Sequence, residues 1–217
     1  MSVTNGDCNG LPVEDVSTVF STTMPPFPYC EHGRIATEEF LDAARGVVAL
    51  VDKMGKVFAA VRYDMNGNIV KLNAKFEKDR SKYFYLEDMI LSEKNEGENL
   101  VTDALQWLRR GLHFMQRFLE CVLSDVEGKT NLSNFLKVAY LETLEPYHGW
   151  MGTQLFNIMC KFSPNRDDFF YVLGMEAHNK NEHVMRDMGK FVRNLGLCVG
   201  QLVQFYAEHN LERTNRV

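Results

Sequence analysis

The sequence predicts an all-α protein, and three observations carry that prediction. Apolar residues recur at the i, i+3, i+4, i+7 spacing of a helix over most of the chain, and alternating runs rich in Val and Ile are few. The 217 residues include only six prolines, and Pro146 and Pro164 fall where one helical pattern ends and the next begins. This length suffices for one fairly large domain, and no shift in composition divides it.

The strongest helical pattern spans residues 98–124 and is central to the predicted fold. One apolar stripe contains Val101, Ala104, Leu105, Leu108, Leu112, Met115, Leu119 and Val122, and a second contains Trp107, Gly111, Phe114 and Phe118. Together they cover about half of the helix circumference, which is wider than a surface helix needs. The opposite arc carries Arg109, His113, Gln116 and Glu120. We therefore predict that this helix packs on two sides or forms the wall of a cavity.

The remaining helices follow from the same period. Thr37 is expected to cap a helix that Gly55 ends, and a second helix is predicted over 56–77. Further helices are predicted at 81–94, 131–145, 147–162, 165–175 and 179–209, which gives about eight in all. Residues 1–34 are rich in Asn, Gly, Thr and Pro, so we expect an irregular or poorly ordered segment with at most a short helix over 13–20.

Composition excludes several classes of function. A net charge of −5 argues against a nucleic-acid partner. Five cysteines without CxxC pairing argue against a zinc ribbon or a disulfide framework, so we expect reduced thiols. Neither a signal peptide nor an apolar run of membrane-spanning length is present, and we expect a soluble cytoplasmic protein. Nucleophile elbows and phosphate loops are absent, so we expect no enzyme activity, no cofactor and no metal.

Three weak signals remain as candidates for binding. Asp64, Asn68 and Lys71 share one helix face and offer an acceptor, an amide and a cation, a set that suits a polyhydroxyl headgroup. An ordinary solvated face explains the same spacing. Trp107 lies where the apolar arc of its helix meets the polar arc, so it is either a flat surface for a ligand or a core aromatic residue, and Arg109-Arg110 would ordinarily be a solvated pair.

His148 follows Pro146 at the start of a helix, where a side chain can point into a cleft. Glu145 precedes it with the Glu-x-x-His spacing of a helical di-iron site, but Pro146 lies between them and no second copy exists, which excludes that metal site. A lone histidine is also commonly a hydrogen-bonded structural residue.

Together these signals resemble the glycolipid transfer protein family over residues 35–217. The matching motifs are Asp64-x3-Asn68-x2-Lys71, the run Trp107-Leu108-Arg109-Arg110-Gly111-Leu112, and Tyr147-His148-Gly149-Trp150. The resemblance implies a two-layer helical sandwich that encloses a lipid-chain tunnel. In that family the Asp, Asn and Lys bind the first sugar, the Trp stacks against it, and the Asp and His hold the ceramide amide.

Carried onto this chain, the headgroup roles fall on Asp64, Asn68, Lys71, Trp107 and His148. The lipid-chain pocket is assigned to Leu108, Leu112, Phe114 and Phe156, and the membrane contact to Trp150. The resemblance thus implies a monomeric carrier that takes a glycolipid, in particular a glycosphingolipid, from one membrane and delivers it to another during transient contact. A lipid sensor that signals through a protein partner is the alternative, and a helical scaffold without a ligand is a third possibility.

Two residues bear on the headgroup and one on the C-terminus. A related branch of the family carries phosphate-headed sphingolipids, with a basic residue where Asn68 stands and an arginine where Trp107 stands. The amide and the indole of this chain therefore predict a neutral sugar, with a phosphate as the alternative. Asn215 stands where family members commonly have a tyrosine, so control of the site by the C-terminus is left open, as is the role of residues 1–34.

Overall fold

The computed structural model describes residues 16–216, and within that range it contains eight α-helices and no β-strand. They are α1 (Thr37–Lys53), α2 (Ala59–Phe76), α3 (Leu86–Glu96), α4 (Leu100–Ser124), α5 (Leu132–Thr143), α6 (Trp150–Lys161), α7 (Arg166–Leu173) and α8 (Asn181–Glu208). The predicted all-α class is confirmed, and the predicted helix positions agree except at some ends. Residues 1–15 of the expected N-terminal segment and the terminal Val217 lie outside the described residues.

The central helix of the fold is α4, as its two apolar stripes predict. It makes extensive contacts with α2, α5 and α8. Leu105, Leu108 and Leu112 are completely buried along it. Burial of each such side chain contributes about 1.5–3 kcal/mol, so α4 supplies a large part of the core.

Two helix starts differ from the sequence-based prediction. The cap of α1 is Ala36 and not Thr37, because the Thr37 hydroxyl donates to the Tyr83 carbonyl at 2.8 Å. The backbone N–H of Thr37 likewise donates to the Phe84 carbonyl at 2.9 Å. These bonds tie residues 83–85 to the start of α1, which explains why α3 begins at Leu86 and not at 81. A 3₁₀ turn, Lys56–Phe58, precedes α2.

Residues 16–34 lie against the helical domain. Their one described helical element is the π turn Val19–Thr23, so the expected helix over 13–20 is wrong for residues 16–18, and residues 13–15 lie outside the described part. Phe27 is only 1% exposed, and its ring lies 5.7 Å from the rings of both Phe40 and Phe191. Isolated aromatic anchors leave no periodic signal, which is why the sequence pattern did not predict this packing.

Candidate functional site

A cavity of about 340 Å³ lies where α1, α2, α4, α5 and α6 meet. Its described lining consists of Val51, Met54, Phe58, Ala60, Val61, Asp64, Met65, Trp107, Gly111, Phe114, Met115, Leu136, Leu144, His148, Met151, Gly152, Leu155, Phe156 and Met159. Asp64 and His148 are the titratable residues of that set. The cavity is therefore apolar along its walls, with a carboxyl group and an imidazole as its polar groups.

Three of the four α4 residues that line the cavity belong to the second apolar stripe, and the fourth, Met115, belongs to the first. Trp107, Gly111 and Phe114 of the second stripe line the cavity. Leu108 and Leu112 of the first stripe, expected in the lipid-chain pocket, are completely buried in the core and do not line the cavity. They lie on the side of α4 that is filled by packing. Thus α4 both packs against its neighbours and forms the wall of a cavity.

On α2, the Asp64 carboxyl is exposed at the cavity, and Asn68 lies one helical turn further along. The Asn68 amide nitrogen donates to Asp64 Oδ2 at 3.4 Å, which places both groups on one face. Asn68 is buried and Lys71 is exposed, and neither lines the cavity. The surrounding protein raises the pKa of the Asp64 carboxyl by desolvation, while the charges of Lys71 and His148 oppose that rise.

Trp107 and His148 come together from distant parts of the chain. Their ring centres are 6.2 Å apart, and the ring planes are inclined by only 23°. Burial lowers the pKa of His148, the Arg110 charge lowers it further, and Asp64 opposes the change. Because its pKa lies below the ordinary value, His148 is mainly neutral at pH 7.

His148 is held by a small hydrogen-bond network. The Tyr140 hydroxyl lies 3.2 Å from His148 Nδ1 and also 3.2 Å from Thr153 Oγ1. The Thr153 hydroxyl in turn donates to the Gly149 carbonyl at 3.2 Å. This network fixes the imidazole ring at the junction between the 3₁₀ turn Glu145–Tyr147 and α6.

Gly152 is a site residue that the sequence analysis missed. A Cβ atom at this position would lie 3.1 Å from both Cβ and Cγ of His148, closer than such contacts ordinarily come. Only glycine leaves the imidazole its space. A glycine in the first turn of an apolar helix, four residues after the candidate histidine, is the sequence signal that could have indicated this contact.

Phe114 and Phe156, also assigned to the lipid-chain pocket, both line the cavity. Their ring centres are 6.1 Å apart in an edge-to-face arrangement. Phe156 also stacks on Tyr140, with ring centres 3.8 Å apart. The ring that anchors His148 thus also packs against the apolar wall.

The expectation that Arg109 and Arg110 form a solvated pair is wrong. They are 5% and 4% exposed, and both bind the carboxylate of Glu212. The distances are 2.6 Å from Arg109 Nη2 to Glu212 Oε2 and 2.8 Å from Arg110 Nη2 to Glu212 Oε1. A partner one hundred residues away along the chain cannot be read from local spacing.

Trp150, assigned to the membrane contact, is 76% exposed at the first position of α6. Three more apolar side chains of α6 are exposed, those of Met151, Leu155 and Ile158, and so is that of Phe162 directly after the helix. Met151 and Leu155 also line the cavity, so this apolar row adjoins the cavity lining. Exposed apolar residues in such a contiguous row mark an interaction surface, whereas single ones do not.

Residues 16–216 contain neither a candidate membrane span nor a candidate metal site. Within this range, no helix combines the length and the apolar character needed to cross a bilayer. The same part of the chain contains no cluster of three His, Cys, Asp or Glu side chains arranged to hold a metal ion. Its four cysteines, Cys30, Cys121, Cys160 and Cys198, are free thiols.

Comparison with known proteins places these observations in context. The profile of the family described as Glycolipid transfer protein (GLTP) matches residues 35–175. Human pleckstrin homology domain-containing family A member 8 is 32% identical over 212 residues, which cover 92% of this chain and 40% of that protein. The chain thus spans less than half the length of this relative.

Two solved structures are similar over most of the chain. One is a structure of FAPP2, a protein that selects simple glycosphingolipids using the GLTP-fold. It has a TM-score of 0.84 and 30% sequence identity, and the match covers 93% of this chain and 100% of that chain. The other is mouse ceramide-1-phosphate transfer protein, with a TM-score of 0.75 and 19% sequence identity. That match covers 90% of this chain and 96% of the mouse chain. The second likeness concerns the fold alone, and the fold is therefore shared by proteins named for different headgroups.

Proposed function

The chain belongs to the glycolipid transfer protein family, and from this premise we propose that it binds a glycolipid and transfers it between membranes. The observation that carries the proposal is the apolar cavity whose polar groups are Asp64 and His148, with Trp107 beside them. A lipid with two chains and a polar headgroup needs both parts of such a site. The cavity takes apolar chains, and the polar groups take the headgroup.

The headgroup is bound by residues of α2, α4 and the start of α6. Asp64 accepts hydrogen bonds from sugar hydroxyls, and the nearby Asn68 and Lys71 supply donors. The Trp107 indole stacks on the apolar face of the sugar ring. Because His148 is mainly neutral at pH 7, it presents one N–H; when the single Tyr140 hydroxyl proton is donated to Nδ1 and not to Thr153, that N–H lies on Nε2 and can donate to the lipid amide.

The lipid chains occupy the apolar cavity. Leaving a bilayer removes roughly 30 methylene groups from hydrocarbon, each worth about 0.8 kcal/mol, so extraction requires an apolar site of similar quality. Phe114 and Phe156 supply such a surface, and the methionines of the lining repack around chains of different length. The exposed row on α6 reaches Met151 and Leu155, which gives the chains a route from the membrane to the cavity.

The proposed carrier works at the surface of membranes. Trp150 inserts its indole at the bilayer interface, the depth at which tryptophan is favoured. The protein acts as a cytoplasmic monomer that visits membranes transiently, and its role is carriage without catalysis. Residues 35–217 form the transfer domain, and residues 1–34 are an N-terminal segment whose described part, residues 16–34, packs on that domain.

The first experiment tests for the ligand and its movement. Mass spectrometry should identify a glycolipid among the lipids that purify with the protein. The protein should also transfer fluorescent glucosylceramide between vesicles faster than the lipid moves spontaneously. Binding without transfer would instead indicate a lipid sensor. Absence of any bound lipid and of any uptake would overturn the proposal.

The second experiment tests the headgroup. Vesicles that contain both glucosylceramide and ceramide-1-phosphate should lose mainly glucosylceramide to the protein. The double variant Asn68→Lys, Trp107→Arg should shift uptake toward the phosphate lipid, because a phosphate needs charge-assisted donors. Stronger uptake of ceramide-1-phosphate by the unchanged protein would refute the sugar preference while leaving lipid transfer intact.

A further inference from the structure

Arg110 contacts both aromatic residues that flank the headgroup site. Its guanidinium carbon lies 4.8 Å from the centre of the Trp107 ring and 3.5 Å from the centre of the Tyr147 ring. Trp107 lies one helical turn before Arg110 on α4, and Tyr147 directly precedes His148. One buried side chain thus connects the stacking surface to the segment that carries the histidine.

The guanidinium is itself fixed by the C-terminal segment. Arg110 Nη2 donates to Glu212 Oε1 at 2.8 Å and also to the backbone carbonyl of Arg213. The Gln106 side chain donates to the same Arg213 carbonyl at 2.9 Å, and the Arg213 side chain pairs with Asp103 at 2.8 Å. Besides Arg110, three residues of α4 therefore bind Glu212 or Arg213, namely Asp103, Gln106 and Arg109, and Glu212 and Arg213 in turn hold Arg110.

From this arrangement we infer that Arg110 is a positioning residue for headgroup selection, and the inference rests on the proposed function. Its planar guanidinium lies against the Trp107 and Tyr147 rings and is locked by Glu212, which keeps the indole in one orientation beside His148. A sugar stacks well only on a plate that is already oriented, because ordering the plate upon binding would subtract from affinity. Arg110 therefore acts through Trp107 and does not itself touch the lipid.

Substitution of Arg110 by lysine separates a positioning role from a role in stabilising the fold alone. A lysine keeps the positive charge, but its ammonium is a point charge that cannot lie flat against an aromatic ring while also donating in a fixed fork. Arg110→Lys should therefore loosen the indole and reduce selection for the sugar. A residue with a purely structural role would lower uptake of all lipids alike.

The deciding experiment is a double-mutant cycle on selectivity. Four proteins are equilibrated with vesicles that contain glucosylceramide and ceramide: wild type, Arg110→Lys, Trp107→Ala and the double variant. Mass spectrometry then measures the ratio of bound glucosylceramide to bound ceramide. Arg110→Lys should lower that ratio about fivefold in the wild-type background, a size typical of coupling between contacting residues. In the Trp107→Ala background it should lower the ratio less than about twofold, since the effect acts through the indole.

Arg166 offers a matched control. Its Nη1 pairs with Asp125 Oδ2 at 2.9 Å, and its guanidinium carbon lies 4.9 Å from the Phe170 ring centre, so it makes the same kinds of contact away from the cavity. Arg166→Lys should leave the ratio unchanged. The positioning role would be refuted if Arg166→Lys lowered the lipid ratio as much as Arg110→Lys does. It would also be refuted if Arg110→Lys lowered the ratio equally in the wild-type and Trp107→Ala backgrounds.

A second measurement does not depend on lipid transfer. Trp107 and Trp150 are the two tryptophans of the chain, so a Trp150→Phe background leaves Trp107 as the single indole fluorophore. Arg110→Lys should increase the quenching of Trp107 by acrylamide, whereas Arg166→Lys should not. Unchanged quenching would refute the positioning of the indole by Arg110. Wild-type protein that takes up neither lipid would refute the proposed function instead.

Discussion

The helices α6 and α8 are built in opposite ways. Along its 28 residues α8 packs extensively on α4, and residues such as Leu195 and Leu202 are completely buried. Across its 12 residues α6 instead exposes four large apolar side chains, and two of them, Met151 and Leu155, line the cavity together with the buried Phe156 and Met159. Thus one helix is a scaffold and the other presents an exposed apolar surface, although both are amphipathic in sequence.

The largest expected effect is on the scaffold. Leu202→Ala in α8 removes a completely buried side chain and should lower the free energy of unfolding by about 2–5 kcal/mol. Ile158→Ala in α6 removes a half-exposed side chain and should change it by less than about 0.5 kcal/mol. Urea denaturation of both variants measures the difference, and equal losses would show that α6 is packed as tightly as α8.

The next effect concerns the start of α6. His148→Leu removes the group proposed to hold the lipid amide, and the lost hydrogen bond should cost about 1–3 kcal/mol of binding, or roughly five- to 150-fold in affinity. Helical content should be unchanged by circular dichroism. Tyr140→Phe is the matched control, because it keeps His148 and removes only the hydroxyl that contacts His148 Nδ1 and Thr153 Oγ1, and its loss of transfer should be smaller. Failure of His148→Leu to fold would favour a structural role for the histidine.

A smaller effect is expected at the exposed end of α6. Trp150→Ala should lower vesicle binding and the transfer rate, because an amphipathic indole is favoured at the bilayer interface. Selectivity for the headgroup should be retained, since Trp150 does not line the cavity. Co-sedimentation with vesicles measures the binding, and Trp150→Phe should recover part of it. Unaltered partitioning would count against α6 as the membrane surface.

The smallest effect concerns the C-terminal attachment to the scaffold. Burial alone would raise the pKa of Glu212, but the hydrogen bond from Arg110 and the Arg109 charge bring it below the ordinary value of 4.5. A lowered pKa in the folded state stabilises the fold above pH 4.5, and that contribution is lost as pH falls through the folded value. The stability difference between wild type and Glu212→Gln should thus be present at pH 7 and shrink below pH 4.5. A difference that grows on acidification would contradict this assignment.

Local sequence determined the helices and the chemistry of the site. The 3.6-residue period gave α4 with its wide apolar arc, and the prolines and polar stretches gave the helix boundaries within a few residues. The same period placed Trp107, Gly111 and Phe114, which line the cavity, on one stripe. These features depend on residues within one or two helical turns, so the sequence alone contains them.

Tertiary structure decided which of these surfaces are filled and which are empty. Nothing in the α4 pattern indicates that Leu108 faces packed neighbours while Phe114 faces a cavity. The burial of Arg110 depends on Glu212, the packing of residues 16–34 depends on contacts of Phe27 with α1 and α8, and the need for glycine at 152 depends on where His148 comes to lie. Each of these outcomes depends on contacts between segments that the chain brings together only on folding, and periodicity reports on a helix's own faces without identifying its partners.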